Sequence, residues 1–222
     1  MNENKLEPKQ EEEFKVAGGK FYLFVKRCFD IFASFIFLVL FSWLILILLL
    51  IKFLEDGHNP IYTSIRIGKG GKEIKFHKIR SMRPGAEKEK AKLIKQGLNE
   101  ADGPVFKMKD DPRITKFGKF LRKTSLDELP QIWDIFVGRM SIVGPRPPIP
   151  SEVKMYTPRQ MHRLDVKGGL ICLWQITKNR HQVTFNEWAE LDLKYIETRS
   201  LGLDLKIIFK AFWFVLTDHS GE

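Results

Sequence analysis

The chain has 222 residues with 37 Lys and Arg against 27 Asp and Glu, a net charge of +10, and 44% of its residues are apolar. Positions 31–51 carry no charge and are interrupted only by Ser34 and Ser42, which argues against a freely soluble protein. Two cysteines, Cys28 and Cys172, are too few for a disulfide-stapled secreted domain and read as reduced thiols.

Taken in order, the chain opens on a polar tail. Residues 1–15 hold five Glu and three Lys, too polar to bury a core, and residues 1–19 are expected to be disordered. The basic character therefore belongs to the body, which carries +12 without that tail. Residues 20–54 follow as a membrane helix, starting too late and running too long for a cleaved signal peptide. Lys20, Lys26 and Arg27 precede the apolar run, while Lys52, Arg66 and a series of lysines follow it. Both flanks then prefer the cytoplasmic side, which a helix that enters, bends and returns satisfies. The bend is expected near Ser42, whose hydroxyl can bond freed backbone groups. A single straight span is the alternative.

Residues 55–222 read as one cytoplasmic domain. Short strands are expected at 61–67 and 74–79, joined by a turn at Gly68-Lys-Gly-Gly71. A charged helix at 86–96 leads into a loop at 99–104. Helices at 114–123 and 126–137 are separated at Thr124-Ser125, and Gly144-Pro-Arg-Pro-Pro-Ile-Pro150 makes a stiff loop. A helix at 186–198 precedes a last one at 203–216, whose apolar residues recur at helical spacing. That last helix either lies in the membrane interface or packs on the domain core.

Three local patterns could carry chemistry. In Leu121-Arg-Lys-Thr-Ser-Leu-Asp-Glu-Leu-Pro-Gln131, adjacent Asp127 and Glu128 follow Arg122 and Lys123. Ser125-x-x-Glu128 is also a capping box, which would explain Glu128 but not Asp127. Two carboxylates at a helix start can hold a divalent cation that in turn holds phosphate oxygens. In Gly144-Pro-Arg146-Pro147 the prolines fix the direction of a guanidinium suited to phosphate, unless the loop is plain surface. In Lys78-Ile-Arg80, strand alternation puts both cations on one face, unless this is a solvated basic edge. There is no P-loop or dinucleotide fingerprint, no serine elbow, and the histidines at 58, 77, 162, 181 and 219 lack metal-ligand spacing.

Lys26-Arg-x-x-Asp30, Arg66-x-Gly-x-x-Gly71, Lys78-x-Arg-Ser-Met82 and Asp111-Pro-Arg-Ile-Thr115 occur in order. The Asp127-Glu128 motif, Met140-Ser-Ile-Val-Gly-Pro-Arg-Pro147 and Leu203-Asp-Leu-Lys-Ile207 follow. This set resembles the bacterial sugar transferase family, the monotopic phosphoglycosyl transferases, from about residue 21 to 216. Leu173-Trp-Gln175 further resembles members that transfer hexose phosphates in exopolysaccharide or O-antigen initiation. The resemblance is to the small form, without the extra transmembrane helices of larger relatives.

The resemblance implies an α+β, mainly helical monotopic membrane protein with a re-entrant helix and interfacial amphipathic helices. It implies an enzyme at the cytoplasmic face of the bacterial inner membrane. A UDP-sugar would give its sugar-1-phosphate to polyprenyl (undecaprenyl) phosphate and release UMP. Asp127 would be the nucleophile, with Glu128 its partner at a magnesium site. Lys78, Arg122 and Arg146 would be basic residues binding substrate phosphate with Gln131 beside them, and Arg80 joins them as a candidate through the strand alternation given above. Expected partners are donor, acceptor and membrane lipid, with a homodimer left open and no nucleic acid. The family's Ser-Pro break appears as Ser42-Trp43, its Lys-Pro-Gly-x-Thr-Gly as Lys167-Gly-Gly-Leu-Ile-Cys172, its Gly-Arg as Lys178-Asn179, and a frequent Gln as Ser64. Two rival classes are an inactive relative serving as a scaffold and a membrane-tethered nucleic-acid binder, which would leave the Asp-Glu pair without a role.

Overall fold

The computed structural model describes residues 14–177 and 183–217. Most of the polar tail, together with Lys178-Asn179, lies outside the described residues. The described chain is mostly helical with two small sheets. Helix α1 (Lys20–Asp56) leads into a hairpin of β1 (Ile61–Ile67) and β2 (Glu73–Ile79). Helices α2 (Ala86–Lys95), α3 (Lys116–Lys123) and α4 (Gln131–Phe136) follow. Next come β3 (Ser141–Val143), α5 (Pro150–Val153), α6 (Pro158–Met161) and β4 (Gly169–Ile171). The chain closes on α7 (Phe185–Thr198) and α8 (Leu201–Thr217).

The hairpin is antiparallel, with Arg66 opposite Ile74 and Tyr62 opposite Lys78, and its strands end within a residue of the expected bounds. The parallel pair of β3 and β4 is too short for a periodic signal and was not expected from the sequence. The helix expected at 126–137 is broken. A 3-10 turn covers Leu126–Glu128 and α4 begins only at Gln131. Pro130, which has no backbone N–H to donate, stands between them.

Helix α1 has 37 residues and is, among the described helices, the one long and apolar enough to cross a membrane. Both of its ends dock on the same domain. At the start, Lys26 pairs with Asp204 of α8 at 2.8 Å. Arg27 donates to the carbonyls of Ile135 and Phe136 at the end of α4, 2.7 Å each, satisfying groups that a helix terminus leaves free. Asp30 accepts from the Ser141 hydroxyl and the Ile142 N–H. At the far end, Leu48 packs against Ile79 and Leu121. Lys52 is fully buried in contact with Glu55 and Asp56. Between these anchors, none of residues 35–47 is buried. The backbone-directed bond near the middle comes from Trp43, whose indole N–H donates to the Leu40 carbonyl at 2.8 Å, rather than from Ser42.

Helix α8 divides its faces. Ile207 is fully buried against α7 and β3, while Leu205, Phe209, Phe212 and Trp213 are exposed. One face is core, and the other is an uncovered apolar surface of the kind that lies in a membrane interface. The buried face bears out the core-packing reading of this helix.

Candidate active site

The site is built on β2, the turn after α3 and the loop after β3. Helix α3 is capped by Thr115, whose hydroxyl accepts from the Gly118 N–H at 3.0 Å. A Cβ on Gly118 would lie 1.9 Å from the Ser81 carbonyl oxygen, so only glycine lets α3 press this closely on the strand end. That approach brings the Arg122 Nε to the Ser81 hydroxyl at 2.9 Å.

After α3 the chain turns through Ser125, at φ 56 the single non-glycine residue in the left-handed region among the described residues. The Ser125 side chain makes no cap bond, so the capping box is not formed. Glu128 reaches instead to Lys78, with Oε1 at 2.7 Å from Nζ. Leu126 and Leu129 pack inward on the Leu48, Ile79 and Leu121 cluster. The residues between them therefore face the strand. Asp127 is 6% exposed, with Oδ2 3.6 Å from the same Lys78 ammonium.

The two carboxyls titrate in opposite directions. Burial and the adjacent Glu128 charge raise the Asp127 pKa above the usual carboxylate value, only partly offset by Lys78 and Arg122. Burial would raise Glu128 as well, but Lys78, Arg146 and Arg66 outweigh it and hold it below the usual range. Neighbouring carboxyls pushed apart in this way are a frequent mark of a functional site.

The loop after β3 supplies further cations. Arg146 lies over the Trp188 ring at 5.3 Å and within electrostatic reach of Glu128. Its backbone is closely held: Gly144 N–H donates to the Ile171 carbonyl, Gly169 N–H to Pro145, and Ile67 N–H to Pro148. A Cβ on Gly168 would come within 2.4 Å of Pro147 Cγ, so the doubled glycine at 168–169 serves close backbone approach.

Of the residues singled out in the sequence, the structure gathers Lys78, Asp127 and Glu128 in direct contact. Arg122 and Arg146 are near enough to shift their ionisation. Gln131 is 1% exposed at the start of α4, and its side-chain NH2 has no partner among the described residues. Arg80 is not brought to the pair: it lies within reach of Asp56 and Tyr62, its N–H bonded to Pro60. β2 ends at Ile79, so strand alternation no longer governs its direction.

Arg66 was missed as a site residue. Its guanidinium lies 4.9 Å from the Phe76 ring, donates to the Pro147 carbonyl at 3.1 Å and lowers the Glu128 pKa. Burial, followed by the Arg146 charge, pulls its own pKa down to about 10. Its signals in the sequence were a cation inside an otherwise uncharged strand and its place at the head of Arg66-x-Gly-x-x-Gly71. His77 proves structural, donating its N–H at 3.0 Å to buried Asp134 and meeting it again through the ring.

Among the described residues no three His, Cys, Asp or Glu side chains converge as a metal cage. Two adjacent carboxylates do suit magnesium, which commonly takes one or two protein carboxylates and completes its shell with water and substrate phosphate.

Buried Asp127 and half-buried Glu128, both on Lys78 and within electrostatic reach of Arg122, Arg146 and Arg66, form a charged candidate site in a mostly helical protein that carries a long apolar helix. The chain matches the bacterial sugar transferase family over residues 21–218 and belongs to it. It is 41% identical over 201 residues to the galactosyl transferase CpsE of Streptococcus agalactiae serotype III, covering 89% of this chain and 44% of that protein. To the undecaprenyl-phosphate galactose phosphotransferase of Salmonella typhimurium it is 38% identical over 201 residues, covering 87% and 40%. To the exopolysaccharide production protein ExoY of Rhizobium meliloti it is 39% identical over 189 residues, covering 84% and 83%. The chain thus spans less than half the length of the first two relatives and most of the third.

Proposed function

We propose that the chain transfers a sugar-1-phosphate from a UDP-sugar to polyprenyl phosphate, releasing UMP, as a membrane step of polysaccharide synthesis. The observation that carries this reading is Asp127, buried 3.6 Å from Lys78 beside a Glu128 that takes the closer contact. A nucleic-acid binder would have no use for a buried carboxylate whose pKa is raised. The galactose phosphotransferase relative carries the acceptor in its name.

In this reading an Asp127 carboxylate oxygen attacks the β-phosphorus of the donor. The bond from that phosphorus to the bridging oxygen breaks, and UMP leaves with the electron pair. The sugar phosphate is then an acyl phosphate on Asp127. An oxygen of polyprenyl phosphate attacks the same phosphorus, frees the carboxylate and forms a polyprenyl diphosphosugar. Lys78, Arg66, Arg122 and Arg146 offset the phosphate charge that would repel the carboxylate. Asp127 and Glu128 would hold magnesium, which supplies further charge neutralisation when bound.

We read α1 as re-entrant, with both ends on the cytoplasmic face of the inner membrane. Two observations support this: both ends dock on one domain, and the middle is not buried. Lys5→Cys and Lys90→Cys, each in a chain lacking Cys28 and Cys172, should both resist an impermeant thiol reagent in intact cells. Labelling of position 5 alone would establish a plain span instead.

The reaction is tested with detergent-solubilised protein, a panel of UDP-sugars and polyprenyl phosphate, following UMP. Without acceptor, intact-protein mass spectrometry should find one sugar phosphate added, located on Asp127. UMP release that strictly requires acceptor, with no adduct, would replace the covalent route by direct transfer.

A further inference from the structure

Helix α7 buries Ala189, Asp192, Leu193 and Ile196 on one face. Asp192 is the one charged residue in that set, and an unpaired charge in a core is costly. Its partner is Arg163, from the 3-10 turn after α6, which is 3% exposed. Arg163 donates from Nε and Nη2 to Asp192 Oδ2 at 3.0 and 2.8 Å. Its Nη1 meets the Tyr156 hydroxyl, and its guanidinium lies within 5.2–5.9 Å of the Tyr156, Phe185 and Trp188 rings. The remaining contact is the informative one. Nη2 also reaches the backbone carbonyl of Arg146 at 3.4 Å.

The Arg146 side chain meets the same assembly. Its guanidinium sits 5.3 Å from the Trp188 ring, and Trp188 stands one turn before Asp192 on α7. Asp192 and Glu128 both lie within electrostatic reach of Arg146, one from the core and one from the site. Arg146 is thus held at its backbone by Arg163, against its plane by Trp188, and by opposite charge on two sides.

We propose that Arg163 and Asp192 are positioning residues for Arg146: the buried pair fixes where that guanidinium meets the donor diphosphate. Resting on the donor site proposed above, this role explains why a fully desolvated ion pair lies behind the loop after β3. Arginine is required at 163 because its planar fork serves Asp192 and the Arg146 carbonyl together, which a lysine ammonium does not reproduce.

The test is a double-mutant cycle on the full chain in detergent, read by calorimetric binding of UDP and in parallel by UMP release. Asp192→Asn keeps the shape and removes the charge. It should weaken UDP about tenfold in the native background and less than about twofold when combined with Arg146→Ala, because coupled residues are non-additive. A general packing role would cost the same factor in both backgrounds, and that result overturns the proposal. If Asp192→Asn does not fold by circular dichroism, Trp188→Phe takes its place, with a loss of about threefold expected only where Arg146 is present. Equal losses again overturn it. A native chain that binds UDP with this coupling but releases no UMP overturns the proposed reaction and leaves the positioning pair standing. One that binds no UDP overturns both.

Discussion

The turn at residues 125–128 and the loop at 144–148 bring charge to the same place by opposite means. In the turn, Ser125 occupies the left-handed region without a side-chain cap, and the Asp127 carboxyl is buried against its ionic preference. Its anchorage is apolar, through Leu126 and Leu129. The loop is held at almost every residue: by the bonds of Gly144, Pro145 and Pro148, by Arg66 on Pro147, and by Arg163 on Arg146. The group proposed to react is kept in a costly state, while the group proposed only to bind is over-determined. Strain of this kind persists when the surrounding structure fixes it.

The sharpest way to break that contrast is at the two neighbouring carboxyls. Asp127→Asn should reduce transfer by at least about a thousandfold, since an amide cannot form the acyl phosphate. It should also raise the melting temperature at neutral pH. The Asp127 pKa is raised in the fold, so the folded state favours its protonated form, and ionisation at higher pH works against folding. A variant that is inactive and less stable would contradict the account of the turn. In the native chain, activity should fall with acidification at a higher pH than an ordinary aspartate would give.

Glu128→Gln should act in the opposite sense on stability. Its depressed pKa contributes stability above the usual glutamate value, lost as pH falls through the folded pKa, so the amide should lower the melting point. Transfer should drop about a hundredfold, with a higher magnesium requirement, as for loss of a group that supports a metal. Excess chelator should abolish native activity and magnesium restore it; unchanged turnover in chelator would remove the metal from the scheme.

On the loop side, Gly168→Ala places a Cβ 2.4 Å from Pro147 Cγ and should cost about 1–3 kcal/mol of stability. Its kinetic signature should be a raised KM for the donor with kcat little changed. A fall in kcat alone would show that the loop takes part in the chemical step.

The difference between the regions also explains what the sequence could reveal. The hairpin bounds followed from two short strand-like runs and the glycine punctuation between them. The Asp127-Glu128 pair stood out as adjacent carboxylates among cations, and its local motif carried the family resemblance. Yet the same letters misread the backbone, because Ser125-x-x-Glu128 has capping-box spacing while Glu128 is claimed by Lys78, distant in sequence. Arg80 was assigned by extending strand alternation one residue past the end of β2. Arg163 and Asp192 were invisible, and so was the role of Arg66, for the complementary reason: their partners are set by tertiary packing, which no local spacing encodes.

The smallest expected effect is the most discriminating for the turn. Ser125→Gly removes the penalty of a side chain in the left-handed region, about 1–2 kcal/mol, but gives back part of it through the greater freedom of glycine in the unfolded chain. The expected net is a gain of about 0.5–1 kcal/mol, measured by denaturant unfolding. Transfer should change less than about threefold, because Leu126, Leu129 and Lys78 still direct the carboxyls. A large loss of activity in a stabilised variant would mean that the Ser125 hydroxyl itself meets substrate. A loss of stability would mean that the serine is accommodated without strain, and the contrast between turn and loop would then rest on the Asp127 carboxyl alone.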